Sequence, residues 1–140
     1  MSAPVLEQAL IVAGAAIFGV LGALHLVYTF VGRGFEARDA ATVAAMQSTS
    51  PRLTRRTTMW KAWVGFNASH SLGALLFAAL IGGLAIDQMA LLRTSPMFVW
   101  VAVAGATAYL ALAVRYWFRT PLVGIALATA CFAIAAARMT

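Results

Sequence analysis

Residues 59–86 form one long apolar stretch, MWKAWVGFNASHSLGALLFAALIGGLAI. Its one charged side chain is Lys61, near its start. The stretch is longer than the roughly 20 apolar residues that a helix needs to cross a hydrocarbon core about 30 Å thick. Because lipid cannot satisfy free backbone groups, and because the apolar run lacks the alternation of a barrel strand, the pattern predicts a transmembrane helix.

Three further apolar stretches cover residues 5–31, 97–118 and 122–137. Across all 140 residues, 63% are hydrophobic and only 10% are charged. A soluble domain carries about 25% charged residues, and one this small could not hide so much apolar surface from water. The sequence therefore predicts an all-α membrane protein, a single antiparallel four-helix transmembrane domain over residues 1–140.

The starts of the second, third and fourth helices are predicted from a hydroxyl residue followed by proline. Such a pair places a capping side chain before a residue whose missing N–H would be unpaired in the first helical turn. The pairs are Ser50-Pro51, Ser95-Pro96 and Thr120-Pro121.

The distribution of positive charge predicts the orientation. Eight Lys and Arg residues fall on one side of the predicted spans and two, Arg93 and Arg138, on the other. Basic residues are enriched in cytoplasmic connections, so both termini are expected outside, in the inner membrane of a bacterium. The eight are Arg33, Arg38, Arg52, Arg55, Arg56, Lys61, Arg115 and Arg119.

The net charge of +6 is explained by this topology, and no soluble basic face points to a nucleic-acid partner. The expected partners are membrane lipids, which the basic residues of the first connection would attract. In that connection, Phe35, Val43 and Met46 are interleaved with Glu36, Arg38 and Asp39. The pattern is typical of a short interfacial amphipathic helix, and a solvated loop is the alternative.

Polar side chains inside the membrane are the candidates for function, because they cost free energy and tend to face the interior of a bundle. Helical spacing places several of them on faces with small and aromatic residues. In the third helix, that face is predicted to contain Gly105, Tyr109, Leu112 and Tyr116. The predicted ligand-binding residues, lining one cavity in the cytoplasmic half, are His25, Trp63, Asn67, His70, Tyr109, Arg115 and Tyr116.

No cofactor is expected. From the helix rise of about 1.5 Å per residue, His25 and His70 differ in depth by about 8 Å, which argues against ligation of one haem. Two histidines with no carboxylate in the membrane, and with Cys131 distant, also fall short of a usual zinc or copper ligand set. The alternative role of Asn67 and His70 is interhelical hydrogen bonding.

The size, basic charge and four helices resemble the membrane-associated eicosanoid and glutathione metabolism proteins, a family of trimeric enzymes. That family's second helix carries Arg-x-x-x-Asn-x-x-Glu for glutathione. Asn67 matches the asparagine, whereas Trp63 and His70 stand at the arginine and glutamate positions. The resemblance is therefore architectural.

These residues are compatible with two functions. The first is a non-enzymatic protein that binds a lipophilic small molecule or acts as an accessory subunit of a membrane complex, alone or as a homo-oligomer. The second is an enzyme acting on a lipophilic substrate, with His70 or His25 as acid and base and with Tyr109 or Arg115 polarising the substrate. The sequence contains no recognisable nucleophile–base pair, which favours binding.

Overall fold

The computed structural model describes residues 3–140, with side chains from residue 5 onward, and in this range the chain contains helices and no strand. Four of the helices are long and apolar enough to cross a membrane, which confirms the predicted number of long apolar helices. Their ends lie within three residues of the predicted boundaries. The six helices are α1 (Ala3–Phe30), α2 (Ala40–Ser48), α3 (Met59–Asp87), α4 (Met89–Thr94), α5 (Met97–Tyr116) and α6 (Arg119–Met139).

The predicted capping by serine or threonine before proline is wrong at all three positions. Pro51 lies in a loop, and α3 begins eight residues later, where the hydroxyl of Thr58 accepts the N–H of Lys61. At α5, Pro96 itself is the capping residue and no side chain caps the helix. At α6, Pro121 lies inside the first turn, which tolerates proline because N–H groups there have no intrahelical partner.

The first connection contains a helix, but not the predicted amphipathic one. Phe35 and the charged residues Glu36, Arg38 and Asp39 all precede α2, which begins at Ala40. The Asp39 carboxylate accepts hydrogen bonds from the hydroxyl and N–H of Thr42 and from the N–H of Ala41. These bonds hold the pKa of Asp39 below its ordinary value. Helix α2 has four alanines among its nine residues, with no buried residue and no separate polar and apolar faces.

The chain divides into two compact units. Unit 1 comprises Met1–Leu21 and Ala74–Thr140, and unit 2 comprises Gly22–Gly73. The core of unit 1 is built around the rings of Phe18, Phe77 and Phe132, whose centroids lie 4.9 to 6.3 Å apart. Alanines on α5 and α6 fill the space between the helices. Small residues at such contacts let helix backbones approach closely in a membrane.

Glu7 brings several helix ends together at one end of unit 1. Its side chain is only 10% exposed and lies 3.7 Å from Arg93 and 3.8 Å from Arg138. The side-chain amide of the neighbouring Gln8 donates to the carbonyl of Ala85 at 2.8 Å. The start of α1 therefore lies beside the ends of α3, α4 and α6.

The buried face of α5 differs from the predicted one. Leu112 is 51% exposed and Tyr116 is 74% exposed, so neither lies in the core. The buried residues of α5 are Val99, Ala102, Ala106 and Ala113. The prediction followed the polar and aromatic residues, whereas the close approach of α6 selects the small residues.

Candidate functional site

The candidate site lies in unit 2, where the end of α1 meets the start of α3. His25 Nε2 lies 3.0 Å from the side-chain oxygen of Asn67. The side-chain amide of Asn67 donates to the carbonyl of Trp63 at 2.8 Å, which leaves the amide oxygen facing His25. Because that oxygen can only accept, His25 Nε2 is the donor. Asn67 is 3% exposed, and the hydrogen bonds to His25 and Trp63 hold both ends of its amide.

His70 lies one helical turn further along α3. Its ring centroid is 5.1 Å from that of His25, at an interplanar angle of 56°, and its ring stacks on Phe66 at 6.3 Å. The rings are therefore closer than the predicted depth difference of about 8 Å implied. That estimate counted backbone rise alone and took no account of the length of the two side chains.

The segment after α1 folds back onto the site. Gly32 has φ +80, a backbone conformation that glycine adopts without steric cost. Beyond this turn, the carbonyl of Phe35 accepts the indole N–H of Trp63 at 3.0 Å. The ring of Phe35 lies 4.4 Å from that of His25 and 6.4 Å from that of Tyr28. The loop therefore adds an aromatic residue beside the histidine.

An ion pair holds the same turn. Arg33 Nε donates to the carboxylate of Glu36 at 2.6 Å. The hydrogen bond and the negative charge of Glu36 both raise the pKa of Arg33, which stays protonated. Glu36 retains acceptor capacity, because an ionised carboxylate has about four lone-pair sites.

Between these elements lies a cleft with a volume of about 30 Å³. One water needs about 10–15 Å³ of such space, so the cleft accommodates a group about the size of two waters. Four of its nine lining residues are aromatic and three have polar side chains, and Gly32 and Val64 make up the rest. Its lining residues are Tyr28, Thr29, Gly32, Phe35, Glu36, Trp60, Trp63, Val64 and Asn67.

The structure places the seven predicted site residues in two groups. Trp63 and Asn67 line the cleft, and His25 and His70 lie next to Asn67 in the same unit. The other three belong to unit 1. There, the ring of Tyr109 packs edge-on against Phe18 at 5.3 Å, and the guanidinium of Arg115 lies 5.6 Å from the ring of Tyr116.

Seven of the nine lining residues were not predicted as part of the site: Tyr28, Thr29, Gly32, Phe35, Glu36, Trp60 and Val64. Trp60 lies one helical turn before Trp63 on α3, so its spacing was a usable signal. Tyr28 lies three residues after His25 on α1, and this helical spacing was the available signal. The positions of Phe35 and Glu36 depend on the turn at Gly32, and no local sequence pattern indicated that turn.

Among the side chains of residues 5–140, no group of three or more His, Cys, Asp and Glu could hold a metal ion. Helices α1, α3, α5 and α6 define the class of the protein as a small α-helical integral membrane protein. No protein-family model, curated protein or solved structure matches the chain.

Proposed function

We propose that the protein is a non-enzymatic membrane protein that binds a lipophilic small molecule through the cleft of unit 2. The observation that carries the proposal is the composition of the cleft wall. The rings of Tyr28, Phe35, Trp60 and Trp63 stand beside the carboxylate of Glu36 and the amide of Asn67. Ligand sites typically combine apolar walls with a few placed polar groups.

The dimensions of the cleft indicate the kind of ligand. A volume of about 30 Å³ admits only the end of a lipophile, and the remainder would stay in the surrounding lipid. Glu36 and the side-chain oxygen of Asn67 are acceptors with lone pairs still available. We therefore propose a ligand whose end carries a hydroxyl or amino group. If the protein is instead an accessory subunit of a membrane complex, it would present the lipophile to that complex from the same site.

A membrane enzyme is the second candidate, and the geometry of the two histidines favours it. His25 is oriented by Asn67 and lies 5.1 Å from His70, ring to ring. A base held by an orienting partner is a recurring feature of proton-transfer sites. Replacing His70 with Gln separates the candidates, since a binding protein would retain its ligand and an enzyme would lose a pH-dependent activity.

The binding proposal is tested with variants of α3. Trp63→Leu removes a ring of the cleft wall and the hydrogen bond to Phe35, so we expect the co-purifying lipophile to be lost. Phe66→Leu is the matched control, because Phe66 lies on the same helix, is 64% exposed and does not line the cleft. Organic extracts of protein purified in mild detergent are compared by mass spectrometry, and thermal stability is recorded alongside.

Retention of the lipophile in Trp63→Leu, or its equal loss in Phe66→Leu, would contradict the cleft as the site. Wild-type protein that carries no lipophile would overturn the binding function. If Asn67→Ala lowers thermal stability but leaves the lipophile bound, then Asn67 acts as an interhelical hydrogen-bond residue only.

We further propose an antiparallel bundle with both termini outside the cytoplasm of a bacterial cell, on the basis of the charge asymmetry. The clustering of helix ends around Glu7 supports the antiparallel part. In a Cys131→Ala background, an impermeant thiol reagent added to intact spheroplasts is expected to label Gln88→Cys and not Thr49→Cys. The reverse labelling would invert the orientation.

A further inference from the structure

The loop formed by residues 49–59 has a closed and defined shape. The N–H of Met59 donates to the carbonyl of Thr49 at 2.8 Å, which ties the two ends of the loop together. Inside the loop, the N–H of Thr54 donates to the carbonyl of Pro51 and the N–H of Arg56 donates to the hydroxyl of Thr54, both at 3.2 Å. These bonds form a turn that presents the side chains between them.

Leu53 lies at this turn and is 94% exposed. A single exposed leucine on a soluble protein needs no explanation. Here, however, α3 begins at Met59 and is long and apolar enough to cross a membrane. The closed loop therefore lies near the membrane surface, where an exposed apolar side chain can enter the boundary between head groups and acyl chains.

The charged residues of the loop are all positive. Arg52, Arg55 and Arg56 are exposed, and residues 49–59 include no Asp or Glu. None of the ion pairs found among the described residues involves these three arginines. Arginine binds phosphate through charge-assisted and often bidentate hydrogen bonds.

We propose that the 49–59 loop is a docking element for anionic phospholipid head groups, with the three arginines binding phosphate and Leu53 inserted beneath them. The occupant is the leaflet that α3 enters, because the chain itself holds the loop at that surface. This interaction is independent of the cleft and of the ligand proposed for it.

The test uses full-length protein in nanodiscs, with Cys131→Ala and an environment-sensitive NBD fluorophore on Thr57→Cys. We expect NBD fluorescence to rise when phosphatidylcholine is replaced by an equimolar mixture with phosphatidylglycerol. Since each basic residue near an anionic surface strengthens attraction about five-fold, Arg55→Gln should raise the phosphatidylglycerol fraction at half-maximal response by about two- to five-fold. Leu53→Ser should remove most of the rise at every composition.

Arg38→Gln is the matched control, because Arg38 is an exposed arginine of the same connection outside the loop. Because Arg38 lies outside the closed loop, its replacement should shift the half-maximal phosphatidylglycerol fraction less than Arg55→Gln does. Because Leu53 is almost fully exposed, Leu53→Ser should also leave thermal stability unchanged, so a lost response would not be a folding defect. Fluorescence that is equal in both lipid compositions, or equally reduced by Arg38→Gln, would overturn the proposal. So would a response that appears only on adding a soluble acidic protein.

Discussion

Replacing Phe132 with alanine should lower the free energy of unfolding by about 2–3 kcal/mol. Loss of the ring leaves a cavity of about 100 Å³, and a cavity costs about 24 cal/mol per Å³. Phe132 has no exposed surface, and its ring contacts those of Phe18 and Phe77. In a membrane, the transfer part of the usual penalty is small because lipid is as apolar as the core. The loss of packing remains.

The measurement is unfolding by SDS titration in mixed micelles. Leu127→Ala is the control, because Leu127 lies on the same helix and is 56% exposed. Lipid or detergent fills the space that a surface side chain leaves, so its cost should stay below about 0.5 kcal/mol. Equal losses in the two variants would mean that the three rings do not form the core of unit 1.

The spans were predictable because lipid imposes one strong rule on each of them. A long run of apolar residues must become a helix, since no other conformation of a single segment forms all of its backbone hydrogen bonds in hydrocarbon. The same rule says little about which face of a helix is buried, because an apolar side chain is as acceptable towards lipid as towards protein. On α5, Leu112 and Tyr116 therefore face outward although their spacing matched an inner face.

The candidate site was predictable where residues one helical turn apart contribute to it. Trp63, Asn67 and His70 follow that spacing on α3, and they lie together around His25. Phe35 was not predictable, because its position depends on the backbone reversal at Gly32 and on a hydrogen bond to a residue 28 positions later. Contacts of that kind depend on tertiary structure rather than on local pattern.

The predicted starts of three helices were wrong for a related reason. The hydroxyl–proline pairs are compatible with a helix start, but they do not exclude a loop. At Ser50-Pro51, the hydrogen bond from Met59 to Thr49 closes a loop instead, and Thr58 then serves as the capping residue.

Gly14→Ala should lower the free energy of unfolding by about 1–3 kcal/mol, the usual cost of overpacking a filled core. A Cβ at Gly14 would lie 2.8 Å from Cε1 and 2.9 Å from Cζ of Phe132. That ring has little room to move, because Phe18 and Phe77 pack against it. Gly83→Ala is the control within unit 1, since its Cβ would meet no atom within 4 Å. It should be neutral or stabilise by up to about 1 kcal/mol through helix propensity.

Combining Gly14→Ala with Phe132→Ala tests whether the two positions share one space. In the absence of the Phe132 ring, the added methyl group enters the cavity instead of a filled core. The penalty for Gly14→Ala should therefore fall to near zero, giving a favourable coupling of about 1–3 kcal/mol between the two substitutions. SDS titrations of the wild type, both single variants and the double variant complete the cycle. Additive losses would show that Gly14 and Phe132 do not meet, and that the cost of Gly14→Ala arises elsewhere along α1.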